Sequence, residues 1–404
     1  MSGNVTLIGM GCGTWDTLTR EGETALKQAD AVLGAARLLD ALPDFCTGKR
    51  VPEVRPDELA RLLRENSWER PCVVYGGDTG FYSGARLLTP LLDAQGIPYR
   101  VAPGVSSVQV LSARLGRPWQ DWNLCSAHGA DCDAVSAASH GKAAFFLTGK
   151  HTTAALCRQL TEAGLGNLGV TVGENLGMSD ERITRATAQE AALMTFAPLS
   201  VLLSEAAPEP YPERVPGIPD ADFIRGDVPM TKQEVRAAIL AKLAVRPGDI
   251  VWDAGAGTGS VSVELSRAAY RGRVFAVERD PDACELVRRN REKFGAWNLT
   301  LTPGDAPDVL QTLPVPDAVF VGGSGGKLGG IIETAFAKNP CARVCVSAAT
   351  LETLSGAVEA LTARGASAEV CQISVSRTRK AGNSRLLTAQ NPVFLITTES
   401  GAVL

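Results

Sequence analysis

The residues with the most chemistry in their spacing lie between Asp253 and Ser260. Asp253 is followed by Gly255, Gly257 and Gly259 at alternate positions, with Ala256 and Thr258 between them. Ahead of them Ile250, Val251 and Trp252 read as a short buried parallel strand, and the apolar spacing from Val261 to Ala269 reads as a helix. Strand, glycine turn and helix together bring backbone N–H groups and a helix N-terminus up to a ligand. Glycine serves there because a Cβ would block close approach or forbid the turn. Glu278 ends the run from Arg273, about 20 residues beyond the turn, placed to accept hydrogen bonds from two ribose hydroxyls. Gly304, Asp305 and Ala306 follow a third apolar run. The spacing is G-x-G-x-G, with Ser260 where a dinucleotide turn wants its last glycine, so a dehydrogenase is disfavoured.

The elements that position these residues are legible around them. Strand signals fall near 249–254, 273–278, 299–303, 317–322, 343–349, 367–377 and 392–399, alternating with helices. Seven such strands imply a doubly wound sheet with its ligand at the strands' carboxyl ends. Thr231 and Glu234 have the spacing of a capping box for a helix Lys232–Leu243. After the fourth strand a run from Gly322 to Gly326, with Gly323 and Ser324 at its centre, offers a bare backbone surface to a wide, flat substrate. No N-P-P-Y string stands there, and the Asn391–Phe394 string only begins the last strand. Between the last two strands lies a basic loop carrying Arg377, Arg379, Lys380 and Arg385. Guanidinium groups suit bidentate capture of carboxylates.

The first half repeats the strand-and-turn pattern. A strand from Val5 runs into Gly9, Gly11 and Gly13, and Thr19 starts a helix. A second apolar strand ends in Gly77, Asp78, Thr79, Gly80, Phe81, Tyr82 and Ser83. A third leads through Pro103 to Ser106 and Ser107. Asp78 is suited to hold a ligand's ammonium or ribose, or to cap the segment starting at Gly80. His128, at a strand end, reads as structural rather than as a base. From Ala206 to Pro219 prolines exclude helix and central strand, so a semi-rigid connector is expected near 206–222. The domains implied are 1–205 and 223–404.

Composition limits the function classes. The chain has 404 residues, 45% hydrophobic and 21% charged, with a net charge of -4. That describes a globular protein of two domains and disfavours a general nucleic-acid binder. No apolar stretch reaches membrane-spanning length and no signal peptide is apparent, so the expected location is the cytoplasm. Ten cysteines without a C-x-x-C pair, and three histidines, give no expected metal site.

The Asp253–Ser260 turn, with Glu278 and Gly304–Ala306 in register, resembles the class I, Rossmann-like S-adenosylmethionine (SAM) methyltransferases. Residues 1–205 resemble the tetrapyrrole methylase family, the class III SAM methyltransferases. The resemblance rests on Gly9 to Thr19, Gly77 to Ser83 and Pro103 to Ser107; the family usually has proline where Cys12 and Thr79 stand. Residues 225–400 resemble the decarboxylating precorrin methyltransferase domain of cobalamin biosynthesis, through Pro229–Arg236, Trp252–Glu264, Gly304–Ala306, Gly322–Ser324 and Asn391–Phe394. The fold implied is α/β throughout: a two-subdomain tetrapyrrole methylase fold, then a Rossmann-like doubly wound seven-stranded sheet.

These resemblances imply one SAM in each half. In the first half it would lie near Gly9, Gly11, Asp78, Phe81, Ser106, Ser107 and Thr148. In the second it would lie near Thr231, Asp253, Gly255–Gly259, Glu278, Asp305 and Ala306. They imply methylation of a precorrin at carbons 5 and 15 with loss of CO₂ from the carbon-12 acetate, precorrin-6B to precorrin-8. The C-terminal half would take carbon 15 and the decarboxylation, and the N-terminal half carbon 5. Gly323, Ser324, Arg377, Arg379 and Lys380 would meet this tetrapyrrole, in a homo-oligomer that engages neither nucleic acid nor membrane. No catalytic base is assigned, since methyl transfer to an electron-rich carbon needs alignment more than proton removal. A methyltransferase acting on RNA or protein, or a SAM-sensing protein without catalysis, are the alternatives.

Overall fold

The computed structural model describes residues 4–12, 14–129, 131–139, 141–209 and 216–398. Gly13, His140 and the middle of the proline-rich connector lie outside them. The chain divides into two compact units, the first built of Met1–Ala138, Lys142–Thr161 and Gly166–Ala206, and the second of Ala207–Leu404 with the short segments Ser139–Gly141 and Glu162–Leu165.

The first unit holds two sheets. Strands β1 (Val5–Gly9), β2 (Ala31–Gly34), β3 (Lys49–Pro52), β4 (Pro71–Tyr75) and β5 (Tyr99–Ala102) form a parallel sheet in the order β3-β2-β4-β1-β5. Its inner strands are apolar at successive positions because both faces are covered. Leu7, Leu33 and Val73 enter one core, and Ile8, Val32 and Val74 the other. Strands β6 (Asn123–Ser126), β7 (Ala144–Leu147), β8 (Gly169–Glu174), β9 (Arg182–Thr187) and β10 (Ser200–Ser204) form a mixed sheet in the order β6-β7-β10-β8-β9. Thr19 caps the helix Arg20–Gln28 by accepting from the Gly22 N–H.

In the second unit, β11 (Ile250–Ala254), β12 (Arg273–Glu278), β13 (Leu299–Pro303), β14 (Ala318–Val321) and β15 (Arg343–Ala348) are parallel. They are followed by β16 (Ala368–Ile373), the pair β17 (Ser376–Ala381) and β18 (Ser384–Ala389), and β19 (Val393–Thr398). The seven-stranded order is β13-β12-β11-β14-β15-β19-β16, with β19 antiparallel to both neighbours. The order reverses between β11 and β14, which opens a crevice at their carboxyl ends. Val251 and Phe320 face one core, Trp252 and Val319 the other. The indole N–H of Trp252 donates to the Pro314 carbonyl at 3.1 Å.

Two local expectations are corrected. The basic stretch after β16 is no loop but the β17–β18 hairpin, pairing Arg377 with Thr388 and Arg379 with Leu386. The two-residue Gly382–Asn383 turn between equal arms directs it, with Gly382 at φ +58°. The Thr231–Glu234 capping box does not form. The helix Gln233–Leu243 starts from Lys232 without a side-chain cap. The Glu234 carboxylate turns instead to Arg377, which donates through Nε at 3.0 Å and through Nη2.

The end of the connector is built into the second unit. Ile218 and Phe223 are buried in its core. Arg236, fully buried, donates to Glu264 at 2.8 Å, to Asp220 at 2.8 Å, and to the carbonyls of Ile218 and Thr231. Its guanidinium also lies over the Phe223 ring at 4.6 Å. The other Glu264 oxygen accepts from the Gly217 N–H at 2.7 Å. A buried cation is tolerable only when its donors are satisfied in this way.

Candidate functional site

In the second unit the glycine turn leaves the carboxyl end of β11, and its glycines do different jobs. Gly255, at φ +77°, presses against the loop after β14: a Cβ there would lie 2.2 Å from the Gly323 carbonyl oxygen. Gly257 is open. A Cβ there would meet only the Pro229 carbonyl oxygen at 3.4 Å and Val228 at 3.8 Å. Gly259 precedes the helix Ser260–Ala268, and Ala256 and Thr258 are buried between the glycines. Glu278, ending β12, reaches the turn and accepts from the Gly257 N–H at 2.8 Å. Its other oxygen accepts from the N–H groups of Arg279 and Asp280.

Two polar groups here are left without partners. Asp253 is fully buried; Ser262 donates to one of its oxygens and the other has no hydrogen bond. Burial, with the Glu278 charge as a lesser cause, pushes its carboxyl up to about 7. Thr258 is equally buried, and its hydroxyl has no partner.

A cavity of about 540 Å³ lies beside this turn. Gly255–Thr258 form one side, Pro229–Lys232 another, and Gly322–Gly326 a third; Ser347, Thr350, Thr353, Gln390 and Asn391 complete it. The structure thus brings Thr231, the glycine turn, Gly323 and Ser324 together. Asp253, Gly259, Glu278, Asp305 and Ala306 stand outside its lining. Asp305 pairs with Lys327 at 3.1 Å and Arg279 at 3.5 Å, and the Lys327 contact holds its carboxyl below the usual range. Ala306 opens the short helix Ala306–Leu310. Arg377, Arg379 and Lys380 also stand outside. Arg377 is engaged by Asp220 at 2.9 Å and by Glu234, while Arg379 and Lys380 are exposed on the hairpin.

Sequence reasoning missed Lys232, Thr350, Gln390 and Asn391. Asn391 had a readable signal. An antiparallel last strand begins on the side where its parallel neighbours end, and Ala348 of β15 pairs with Phe394 of β19.

In the first unit the three motifs meet backbone to backbone. Gly11 and Gly77 exchange hydrogen bonds at 3.1 and 2.9 Å. A Cβ on Gly9 would lie 2.6 Å from the Gly104 nitrogen and 2.7 Å from the Gly77 oxygen. Asp78 accepts from the Gly80 N–H at 2.9 Å and from the Gly104 N–H at 3.1 Å, so its carboxylate ties two turns together. Ser106 forms a capping box with Gln109 for the helix Ser107–Leu115. The Thr148 hydroxyl donates to the Ser200 carbonyl, and His128 Nδ1 lies 3.0 Å from the Thr148 carbonyl oxygen. Phe81 lines a cavity of about 580 Å³ with Tyr82, Arg86, Val101 and Leu124, whereas Gly9, Gly11, Ser106, Ser107 and Thr148 do not. Tyr82 is held at φ +50° and donates its hydroxyl to the Leu124 carbonyl at 2.8 Å.

Parallel strands ending in glycine turns, twice on one chain and with a cavity beside each, are the arrangement that nucleotide-cofactor enzymes use. Residues 4–192 match the family model described as Tetrapyrrole (Corrin/Porphyrin) Methylases, and residues 222–399 that described as Precorrin methyltransferase domain. A precorrin-6Y C(5,15)-methyltransferase [decarboxylating] from Sinorhizobium sp is 33% identical over 339 residues, 82% of this chain and 81% of its own. A probable cobalt-precorrin-6B C(15)-methyltransferase (decarboxylating) from Pyrobaculum calidifontis is 46% identical over 190 residues, 46% of this chain and 97% of its own. The crystal structure of precorrin-6Y C5,15-methyltransferase from Geobacter metallireducens is 41% identical, with a TM-score of 0.44 over 45% of this chain and 95% of that one. The chain belongs to the precorrin-6Y C5,15-methyltransferase (decarboxylating) family.

Proposed function

We propose that this chain transfers methyl groups from SAM to carbons 5 and 15 of a precorrin and releases the carbon-12 acetate carboxylate as CO₂, taking precorrin-6B to precorrin-8. One observation carries the reading: which relatives match how much of the chain. The relative named for both carbons matches 82% of it, whereas the relative named for C(15) and decarboxylation alone matches 46% and is itself covered to 97%. The precorrin methyltransferase domain at 222–399 accommodates the shorter match. Carbon 15 and the decarboxylation therefore belong to the second half, and carbon 5 to the first.

SAM supplies an electrophilic methyl group, and each half binds one. In the second half, Gly255–Gly259 and Glu278 would hold it, and the open side of Gly257 fits such a ligand. The bare wall Gly322–Gly326 lets a flat macrocycle approach, so that positioning supplies most of the rate. Arg379 and Lys380 reach for its carboxylates from the hairpin. Arg377 anchors that hairpin. In the first half Phe81 would meet the cofactor in the cavity, Gly9, Gly11, Ser106, Ser107 and Thr148 would bound its site from the adjoining turns and strands, and Asp78 fixes those turns. Decarboxylation requires an electron sink, which a protonated tetrapyrrole provides itself. The enzyme works in the cytoplasm as a homo-oligomer, engaging neither nucleic acid nor membrane. No helix among the described residues is long and apolar enough to cross a membrane.

Product mass spectrometry on the full-length protein, given precorrin-6B and methyl-deuterated SAM, tests this. The expected product carries two labelled methyls and lacks one CO₂. Gly257→Val should abolish the decarboxylation and one methylation, and Asp78→Ala the other methylation. An unchanged tetrapyrrole mass, with SAM binding intact, would move the target to RNA, protein or regulation.

A further inference from the structure

Neither Asp220 nor Arg236 lines the C-terminal cavity, yet two of its walls are joined through them. Arg236 donates from Nη1 to the Thr231 carbonyl, in the wall Pro229–Lys232, and to Oδ1 of Asp220 at 2.8 Å. Its Nε donates to Glu264 at 2.8 Å, in the helix that leaves the glycine turn. The other Asp220 oxygen, Oδ2, accepts from Nη1 of Arg377 at 2.9 Å. Arg377 is the second residue of β17, and the two residues that flank the β17–β18 hairpin, Val375 and Gln390, both line the cavity. The Gln390 N–H closes this foot of the hairpin by donating to the Val375 carbonyl at 2.9 Å. Asp220 is thus a carboxylate shared by two guanidinium groups, one fixing the Thr231 wall and the other the foot of the hairpin. Each guanidinium also has a carboxylate of its own, Glu264 for Arg236 and Glu234 for Arg377. The Asp220 side chain is 11% exposed, so solvent screens the joint little.

We infer that Asp220 is a positioning residue for the second half's reaction: through Arg236 and Arg377 it holds the two cavity walls in register, so that the macrocycle meets the cofactor's methyl in line. This rests on the methyl-transfer reading above. Alignment is the main lever for attack by a ring carbon, and a displacement of about 1 Å costs up to about a hundredfold in rate. With Asp220 uncharged, the pairs Arg236–Glu264 and Arg377–Glu234 remain, each on its own. The unit keeps its fold while its walls are no longer tied.

Full-length Asp220→Asn, which keeps the shape and removes the charge, tests this, and Arg377→Met attacks the same joint from the other side. CO₂ release from precorrin-6B reads the second half, and calorimetry reads S-adenosylhomocysteine binding. Either variant should lower kcat by about tenfold, with the KM for SAM and the S-adenosylhomocysteine affinity within about twofold of the parent. The double variant should be no slower than the slower single one, because both break one joint. A kcat within about twofold of the parent, a fall shared by S-adenosylhomocysteine affinity, or losses that multiply in the double variant overturn the inference. Should Asp220→Asn not fold, Arg377→Met decides by the same kcat and affinity readings. If the parent releases no CO₂ from the tetrapyrrole, the functional reading falls, and hydrogen exchange decides the joint. The Arg236 and Gln390 amides, bonded at 2.9 Å to the Lys232 and Val375 carbonyls, should both exchange faster in Asp220→Asn. Unchanged exchange at either amide overturns the inference.

Discussion

The two glycine-turn regions look alike in sequence and differ in what their polar groups are doing. In the first unit Gly9, Gly77 and Gly104 pack backbone against backbone, and Asp78, Ser106 and Thr148 all spend their side chains on neighbouring protein groups. In the second unit Gly257 is open, and both Asp253 and Thr258 keep an oxygen without a partner beside the turn. One region ties its turns together through its side chains, and the other keeps two buried polar oxygens without a protein partner. Glycine spacing alone does not separate these cases. The partners of the adjacent carboxylate and hydroxyl do.

The comparison breaks most readily at Arg236. Arg236→Met would leave Glu264 buried and unpaired, with an expected loss of about 3–5 kcal/mol from the second unit. Hydrogen exchange resolved by unit should show faster opening in the second and no change in the first. Equal changes in both would remove the idea that the second unit's turn has its own support.

The next contrast lies within one turn. Gly255→Ala places a Cβ 2.2 Å from the Gly323 oxygen and should lower the melting temperature by several degrees. Gly257→Ala incurs only the strain of φ +56°, about 1 kcal/mol, yet should weaken S-adenosylhomocysteine at the second unit's sites by more than tenfold. Calorimetry on both variants checks the order. A reversed order would make Gly257 the tightly packed glycine.

Asp253 gives a pH test. Its carboxyl keeps its proton up to about 7 in the fold, whereas the unfolded chain loses it near the ordinary value of 3.8. Between these limits the folded state binds more protons, so stability falls as pH rises, by at most about 4 kcal/mol. Asparagine keeps an acceptor for Ser262 and does not ionise. Asp253→Asn should therefore melt higher than the parent at pH 8, with the gain shrinking towards pH 4. A pH-independent difference would mean that Asp253 does not titrate in this range.

The smallest effect is expected on the hairpin. Arg379→Ala should raise the tetrapyrrole KM only severalfold, because exposed charge contacts are weak. Arg377→Ala should instead loosen the hairpin through Asp220 and Glu234. Unchanged affinity and turnover in Arg379→Ala would remove that residue from substrate binding.

Most of the fold was legible because its strands are apolar runs bounded by turns. All seven strands of the second sheet fall within a few residues of their sequence positions. What escaped has a common cause. The hairpin's arms carry Arg, Lys, Ser and Thr rather than an apolar alternation, so charge outweighed the Gly382–Asn383 turn signal. The Arg236 network joins positions 16 and 28 residues apart, and nothing local marks a guanidinium that will be buried. The glycine turn and Glu278 were readable because they lie at strand ends. The remaining cavity walls, Thr350, Gln390 and Asn391, come from the antiparallel course of β19, which periodicity does not reveal.

The place of β19 also bears on how the chain comes to be folded. Among the described residues it is the latest of the seven strands in sequence, yet it lies between β15 and β16, and β16 has no other partner among them. Until it arrives, β15 presents an open edge and β16 has nowhere to dock. The second unit's sheet must therefore close after synthesis has passed Thr398, while the parallel sheet of the first unit, complete by Ala102, can close co-translationally.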